Sequence, residues 1–90
     1  MRNKETIEKE IAALKAIKPR IPSKSSFGDD NDAAIDAQIL VLEEQYTEED
    51  DLHEQMFDDH VFDAALEAMQ WLNEDEDMSP SESWAPLVRK

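Results

Sequence analysis

Residues 32–46 read DAAIDAQILVLEEQY, and whether this stretch is helix or strand decides the fold. Ile35, Ile39, Leu42 and Tyr46 recur at steps of four, three and four, the spacing of one helical face, while Leu40 and Val41 lie beside that line and widen the apolar arc. The competing reading is a short strand at Ile39–Leu42, against which the flanking Ala, Glu and Gln residues argue. A helix over about 32–46 is expected, capped by Asp29 or Asn31, with acidic residues in its first turn where the macrodipole favours them. The wide arc requires either two elements packed on this helix or a face turned to a partner or a second copy, so a homodimer stays open.

Working outward toward the N-terminus, Ile7, Ile11, Leu14 and Ile17 form the stripe of a first helix over about 4–18 with Asn3 as N-cap. Pro19 ends it, because the residue before a proline avoids the α region. The stretch PRIPSKSSFGDDN, residues 19–31, reads as a long surface loop from which Ile21 and Phe27 tuck onto the core. Toward the C-terminus, Thr47 and Asp50 resemble a capping box that opens a third helix over about 48–73. Leu52, Met56 and Phe57 serve its first half; Phe62, Ala65, Leu66, Met69 and Leu72 serve its second, with Val61, Ala64, Ala68 and Trp71 alongside. Asp58-Asp59-His60 marks either a kink or a break. Ser79, Pro80 and Glu82 make a capping box for a short turn at 80–84, which lets Trp84 and Leu87 fold back on the bundle. The expected fold is a single all-α domain, a small three- to four-helix bundle with an N-terminal helical hairpin and a short C-terminal helical turn.

The charge pattern narrows the partner. The 90 residues carry 9 Lys+Arg against 23 Asp+Glu, a net charge of −14. Residues 1–24 hold seven basic and three acidic side chains, whereas residues 25–88 hold twenty Asp and Glu and no Lys or Arg. An ordinary helical surface mixes signs, since opposite charges at i,i+4 stabilise and like charges destabilise. Disorder does not account for the stretch, which is too rich in aromatic and regularly spaced apolar residues. Direct binding to nucleic acid is disfavoured and a basic protein surface is favoured. The absence of Cys removes disulfides, thiolate metal sites and cysteine nucleophiles, and points to a cytoplasmic protein. The longest apolar run, Ile39–Leu42, is four residues, so neither a membrane-spanning nor an export segment is expected.

Candidate chemistry is sparse. His53 and His60 are seven residues apart, two turns of one continuous helix or ~10.5 Å, too far to share an ion without another ligand between them; Glu49, Glu54 or Asp63 could add oxygen ligands, but two half-buried or interfacial imidazoles beside acids are the preferred reading. The run Asp29-Asp30-Asn31-Asp32 lacks the glycine and glutamate of a helix–loop–helix calcium site, and helix capping already explains it. The serines cluster in loops with no glycine-rich elbow. No metal, cofactor or catalytic residue is expected, and the chain reads as a non-enzyme. Trp71 completes the core and Trp84 pins the tail in the preferred reading, with interface anchors as the alternative.

Twenty carboxylates correspond to ~34 Å of duplex, which carries one charge per ~1.7 Å, and a compact chain of this length is about 30 Å across. In size, charge and helical content, residues 25–88 resemble the small acidic DNA-mimic proteins of phages and mobile elements, including anti-restriction proteins and many anti-CRISPR inhibitors. The segment FGDDNDAAIDAQILVLEE also looks like a block of short phage proteins, which implies origin rather than mechanism. The basic first helix departs from the mimic pattern and has a ready role in pairing with the second or third helix. The resemblance implies an inhibitor that lays carboxylates into the cationic groove of a nucleic-acid-binding enzyme or complex. Glu43, Glu44, Glu48, Glu49, Asp50, Asp51, Asp58 and Asp59 are the candidate contacts because acid is densest there. The alternative is an adaptor, antitoxin or chaperone subunit that binds through an apolar arc of Leu40, Val41, Val61 and Trp71.

Overall fold

The computed structural model describes residues 1–55 and 58–89, and Met56 and Phe57, assigned above to the third helix, lie outside them. The elements are α1 (Lys4–Ile17), α2 (Asn31–Glu44), α3 (Glu49–Gln55), α4 (Asp59–Leu72) and α5 (Pro80–Trp84), with 3₁₀ turns at Lys18–Arg20 and Ala85–Leu87. The all-α bundle expected from periodicity is what forms. None of the described helices is long and apolar enough to cross a membrane.

The ends of the helices show what competes with the apolar pattern. Asn3 caps α1 by accepting from the Thr6 N–H at 2.8 Å. At the other end Lys18, immediately before Pro19, keeps α-helical angles of φ −48° and ψ −51°, so α1 does not end for the steric reason expected. The proline has no N–H with which to continue the ladder, and the chain tightens into the 3₁₀ turn instead. Asp30 caps α2, not Asp29 or Asn31: its side chain accepts from Ala33 N–H at 3.0 Å. Asn31 is already helical and buried. The helix stops at Glu44, short of Tyr46, because Gln45 adopts left-handed angles (φ 55°, ψ 50°) and the Tyr46 N–H returns to the Val41 carbonyl at 3.1 Å. That six-to-one bond is a Schellman ending, and Tyr46 still packs on the core from beyond it.

The third expected helix is two helices. Asp58 takes an extended conformation and its Oδ1 accepts from the His60 and Val61 N–H groups at 2.9 and 3.2 Å, which begins α4 anew. A short acidic side chain at this position offers the backbone a cap in place of a continued ladder. α3 itself begins at Glu49, while Thr47 is engaged through its carbonyl, which accepts from Asn73 Nδ2 at 3.1 Å.

Directions follow from pairs of contacts. Lys15 pairs with Glu43 and Lys18 with Asp36, so α1 and α2 run antiparallel as the expected hairpin. By contrast Asn31 meets His60, Gln38 meets Ala64 and Thr47 meets Asn73, so α2 and α4 run parallel. The segment containing α3 is the return crossover along the ~21 Å length of the fourteen-residue α2. Among the described residues α2 and α4 share the most extensive contact, and both helices bury small side chains, Ala34 and Ala37 on one and Ala64, Ala65 and Ala68 on the other. Small side chains there let the helices approach closely. The wide arc of α2 is used within the chain: Val41 is fully buried and Leu40 packs against the core, with α1 and α4 on either side.

The C-terminal segment locks this arrangement. Ser79 and Glu82 form the expected capping box of α5. Trp84 is buried and donates from Nε1 to Gln38 Oε1 at 2.7 Å, and Gln38 Nε2 donates to the Ala64 carbonyl at 3.0 Å. Glu10, only 7% exposed, accepts from the Ser81 N–H and hydroxyl at 2.6 and 2.8 Å. Phe27 departs from expectation. It is 94% exposed, while Ile21 from the same loop is in the core.

Candidate acidic interface

Counter-charge is distributed unevenly over this bundle. At the N-terminal end of α2, Lys18 bonds Asp36 at 2.6 Å and faces Asp32 and Asp30 as well. The hydrogen bond to Asp36 and the surrounding carboxylates raise its pKa above the ordinary 10.5. A raised cation stabilises the fold below its ordinary value and loses that contribution only as pH climbs through the raised one, so the pair is constant through neutral pH. Asp29 approaches His60 Nδ1 at 3.8 Å, and His60 Nε2 sits 3.1 Å from Asn31 Oδ1.

The C-terminal ends of α2 and α4 are different. Neither helix has a basic residue in its last turn, although the macrodipole would favour one. Because the two helices are parallel, their negative ends point the same way. The Thr47–Asn73 bond joins these ends and is flanked by Glu44, Glu48 and Glu49 on one side and by Glu74, Asp75, Glu76 and Asp77 on the other. All seven are exposed. The N-terminal segment offsets part of this field: the Met1 ammonium is 3.3 Å from Glu74, and Arg2 lies over Trp71 at 4.8 Å and donates to the Trp71 and Glu76 carbonyls at 2.9 and 2.8 Å.

The eight candidate contacts are all exposed, but they do not form one cluster. Glu43 is drawn to Lys15 at 3.6 Å and lines a cleft of about 420 Å³ with Ile7, Ile11 and Leu42. Glu44, Glu48, Glu49, Asp50 and Asp51 continue from the end of α2 into α3. Asp58 is committed to capping α4, and with Asp59 it lies by the start of α2, roughly 20 Å from Glu44 along that helix. The run Glu74–Asp77 was not among the candidates. Its acidity is plain in the sequence, but only the parallel packing of α4 on α2 brings it beside Glu44–Glu49.

The other side chains considered for chemistry have structural employment. His53 lies on α3 and stacks on Phe62 at 4.6 Å, whereas His60 lies on α4, so the two do not share one helical face. Among the described residues no three His, Asp or Glu side chains are grouped to hold a metal ion. Ser79 caps α5, Ser81 bonds Glu10 and Ser83 bonds Glu67. The apolar side chains Val41 and Trp71 are buried and Leu40 and Val61 pack against the core.

Comparison with protein-family models, with curated proteins and with solved structures finds no match.

Self-repulsion of this surface has a direct consequence for stability. Raising NaCl from about 0.05 to about 0.5 M screens exposed carboxylates beyond a few ångströms. The melting temperature should rise by about 5 °C, equivalent to ~1 kcal/mol for a domain of this size. An unchanged or lower melting temperature would contradict a strained acidic surface.

Proposed function

We propose that the protein is a non-enzymatic, protein-binding inhibitor that presents an acidic, nucleic-acid-mimicking surface to the cationic groove of a nucleic-acid-binding enzyme or complex, of the anti-CRISPR or anti-restriction type. The observation that carries the reading is the pole where the parallel α2 and α4 end together, with exposed Glu44, Glu48, Glu49 and Glu74–Asp77 adding to two aligned negative dipole ends. Such placement costs stability by the rules of helix electrostatics, and a binding surface gives it a purpose. The scale also fits: the longest dimension of the molecule is 32 Å, against ~34 Å of duplex carrying the charge of twenty carboxylates. Of the α1 cations, Lys18 is drawn to Asp36 away from the pole and Lys15 reaches only Glu43 at its border, so Glu44, Glu48 and Glu49 have no ion pair with a lysine of α1 among the described residues. An adaptor binding through Leu40, Val41, Val61 and Trp71 is less well supported, since those side chains are packed inward. A cytoplasmic location, where nucleic-acid-binding complexes are found in a bacterial host, accords with this reading.

The test is a pull-down from host lysate at low salt with the wild type and with a Glu48/Glu49/Asp50/Asp51→Lys variant. A nucleic-acid-binding complex should be held by the wild type, released by added duplex DNA and lost by the variant, with affinity falling steeply with salt. Retention of the same partner by the variant would sink the mimic reading and return the acids to a solubility role.

A further inference from the structure

The loop between α1 and α2 carries a feature that core formation does not explain. Burying a phenylalanine stabilises a fold, yet Phe27 is 94% exposed. It is also held in that position. Ser25 Oγ accepts from the Phe27 and Asp29 N–H groups at 3.2 and 3.0 Å, the Ser25 N–H donates to the Asp29 carbonyl at 2.8 Å, and the Gly28 N–H donates to the Ser25 carbonyl at 3.0 Å. Gly28 closes the turn at φ +86°, a conformation that side chains disfavour. An aromatic presented by a bonded turn loses little conformational freedom on docking, which is the property of an interface anchor.

Beside this knob lies a hole. A cleft of about 340 Å³ runs between Phe27, Pro22, Ser26 and Leu87, and Leu87 is itself 48% exposed. A protrusion and a matching recess on one patch are what a twofold interface needs, because each copy then offers both to the other. Electrostatics selects the same occupant. A second copy of a chain of net charge −14 is repelled over most of the surface, but Lys24 lines this cleft, Arg89 follows Leu87 and is bonded to Arg20, and Asp29 and Asp30 continue the same loop. Lys24 bridges Asp30 through the backbone, while Arg20 and Arg89 are tied together by bonds between the Arg89 N–H and the Arg20 carbonyl and between the Arg20 guanidinium and the Arg89 carbonyl. Among the described residues, none of the three cations has a carboxylate within ion-pair distance; the Arg20 and Arg89 guanidiniums donate to the Arg89 and Ile21 carbonyls and keep further N–H groups, and with Lys24 these can reach Asp29, or the Asp30 oxygen that does not cap α2, in another copy.

We propose that the protein forms a twofold dimer in which Phe27 of each copy enters the recess beside Pro22 and Leu87 of the other, with Arg20, Lys24 and Arg89 facing Asp29 and Asp30 across the axis. The patch is at the N-terminal end of α2, so the acidic pole at the far end stays free. The dimer neither requires nor excludes the inhibitor reading.

Sedimentation equilibrium of the full chain tests it from about 10 to about 500 µM, in about 0.05 and about 0.5 M NaCl. The expected result is a monomer–dimer equilibrium whose dimer fraction is larger at high salt, where long-range repulsion between acidic copies is screened and the aromatic contact is not. Phe27→Ala and Leu87→Ser should each weaken association by about tenfold or more, the Phe27→Ala variant with no change in the melting temperature taken at a concentration where the wild type is monomeric. Met78→Ser, at an exposed methionine after the acidic run, should leave association intact. Monomer alone at the highest concentration in high salt, a dimer indifferent to Phe27→Ala, or equal loss in Met78→Ser would each overturn the proposal.

Discussion

Replacing Trp84 by alanine should cost about 3–5 kcal/mol, the range for removing a buried large aromatic, and lower the melting temperature by roughly 15–30 °C for a domain of this length. Two effects combine. The indole leaves a cavity at the junction of α5 with the α2–α4 pair, and Gln38, 1% exposed, loses the donor to its Oε1. Trp84→Phe separates them, because it keeps most of the apolar contact and still strands the Gln38 oxygen at a cost of about 1–3 kcal/mol. Adding Gln38→Leu to Trp84→Phe should then recover part of that loss, since both polar partners are gone together. The Ala64 carbonyl, which accepts from Gln38 Nε2, lies within the α4 helix and has a helical N–H to fall back on. Chemical denaturation of the four forms gives the coupling energy directly. A loss below about 1 kcal/mol for Trp84→Ala would mean that the C-terminal turn is not part of the core.

Glu10→Ala should be the second large effect, about 2–3 kcal/mol, as expected when a buried charge-assisted hydrogen-bond acceptor is removed. Both carboxylate oxygens hold Ser81, so one side chain of α1 satisfies an orphan N–H at the start of α5 and fixes a hydroxyl beside it. α5 has five residues, too few to persist without tertiary support. Glu10→Gln keeps one acceptor and should lose less, about 1–2 kcal/mol. Hydrogen exchange at residues 79–89 should rise in both variants before the rest of the chain is affected. Equal protection of that segment in Glu10→Ala and wild type would show that Glu10 does not hold α5, leaving that to Trp84, Ser83 and Arg89.

These two sites mark the limit of what pattern alone can reveal. Within residues 4–10, Glu5 and Glu8 carry the same carboxylate as Glu10 and are exposed, and no periodicity distinguishes them. What sets Glu10 apart is a partner seventy-one positions away. Gln38 is likewise polar in the middle of an apolar arc, and its burial makes sense only once the Trp84 indole and the Ala64 carbonyl are in place around it. The capping box at Ser79–Glu82, by contrast, was legible because donor and acceptor lie three residues apart.

The same division runs through the fold and the candidate interface. Helix stripes, the antiparallel first pair, the cap at Asn3 and the one-signed charge of residues 25–88 are local or compositional properties, and the sequence by itself determined them. Helix ends are half-local: the break at Asp58 and the left-handed Gln45 each turn on which of two backbone conformations wins by a small margin, so the sequence left a kink and a break open and ran α2 two residues long. The parallel packing of α4 on α2 belongs to tertiary structure alone, because a crossover of short helix and loop can return the chain along either direction, and the contacts that hold the observed one, Asn31–His60, Gln38–Ala64 and Thr47–Asn73, join residues 26 to 29 positions apart. That packing split the expected acidic cluster, carried Asp58 and Asp59 to one end, and set Glu74–Asp77 beside Glu44–Glu49 at the other. Phe27, which hydrophobicity assigned to the core, is held in solvent by a bonded turn of its own loop around Gly28. Composition sets how much charge and apolar surface a chain carries; where each comes to lie depends on contacts between residues far apart in sequence, and no local rule contains those.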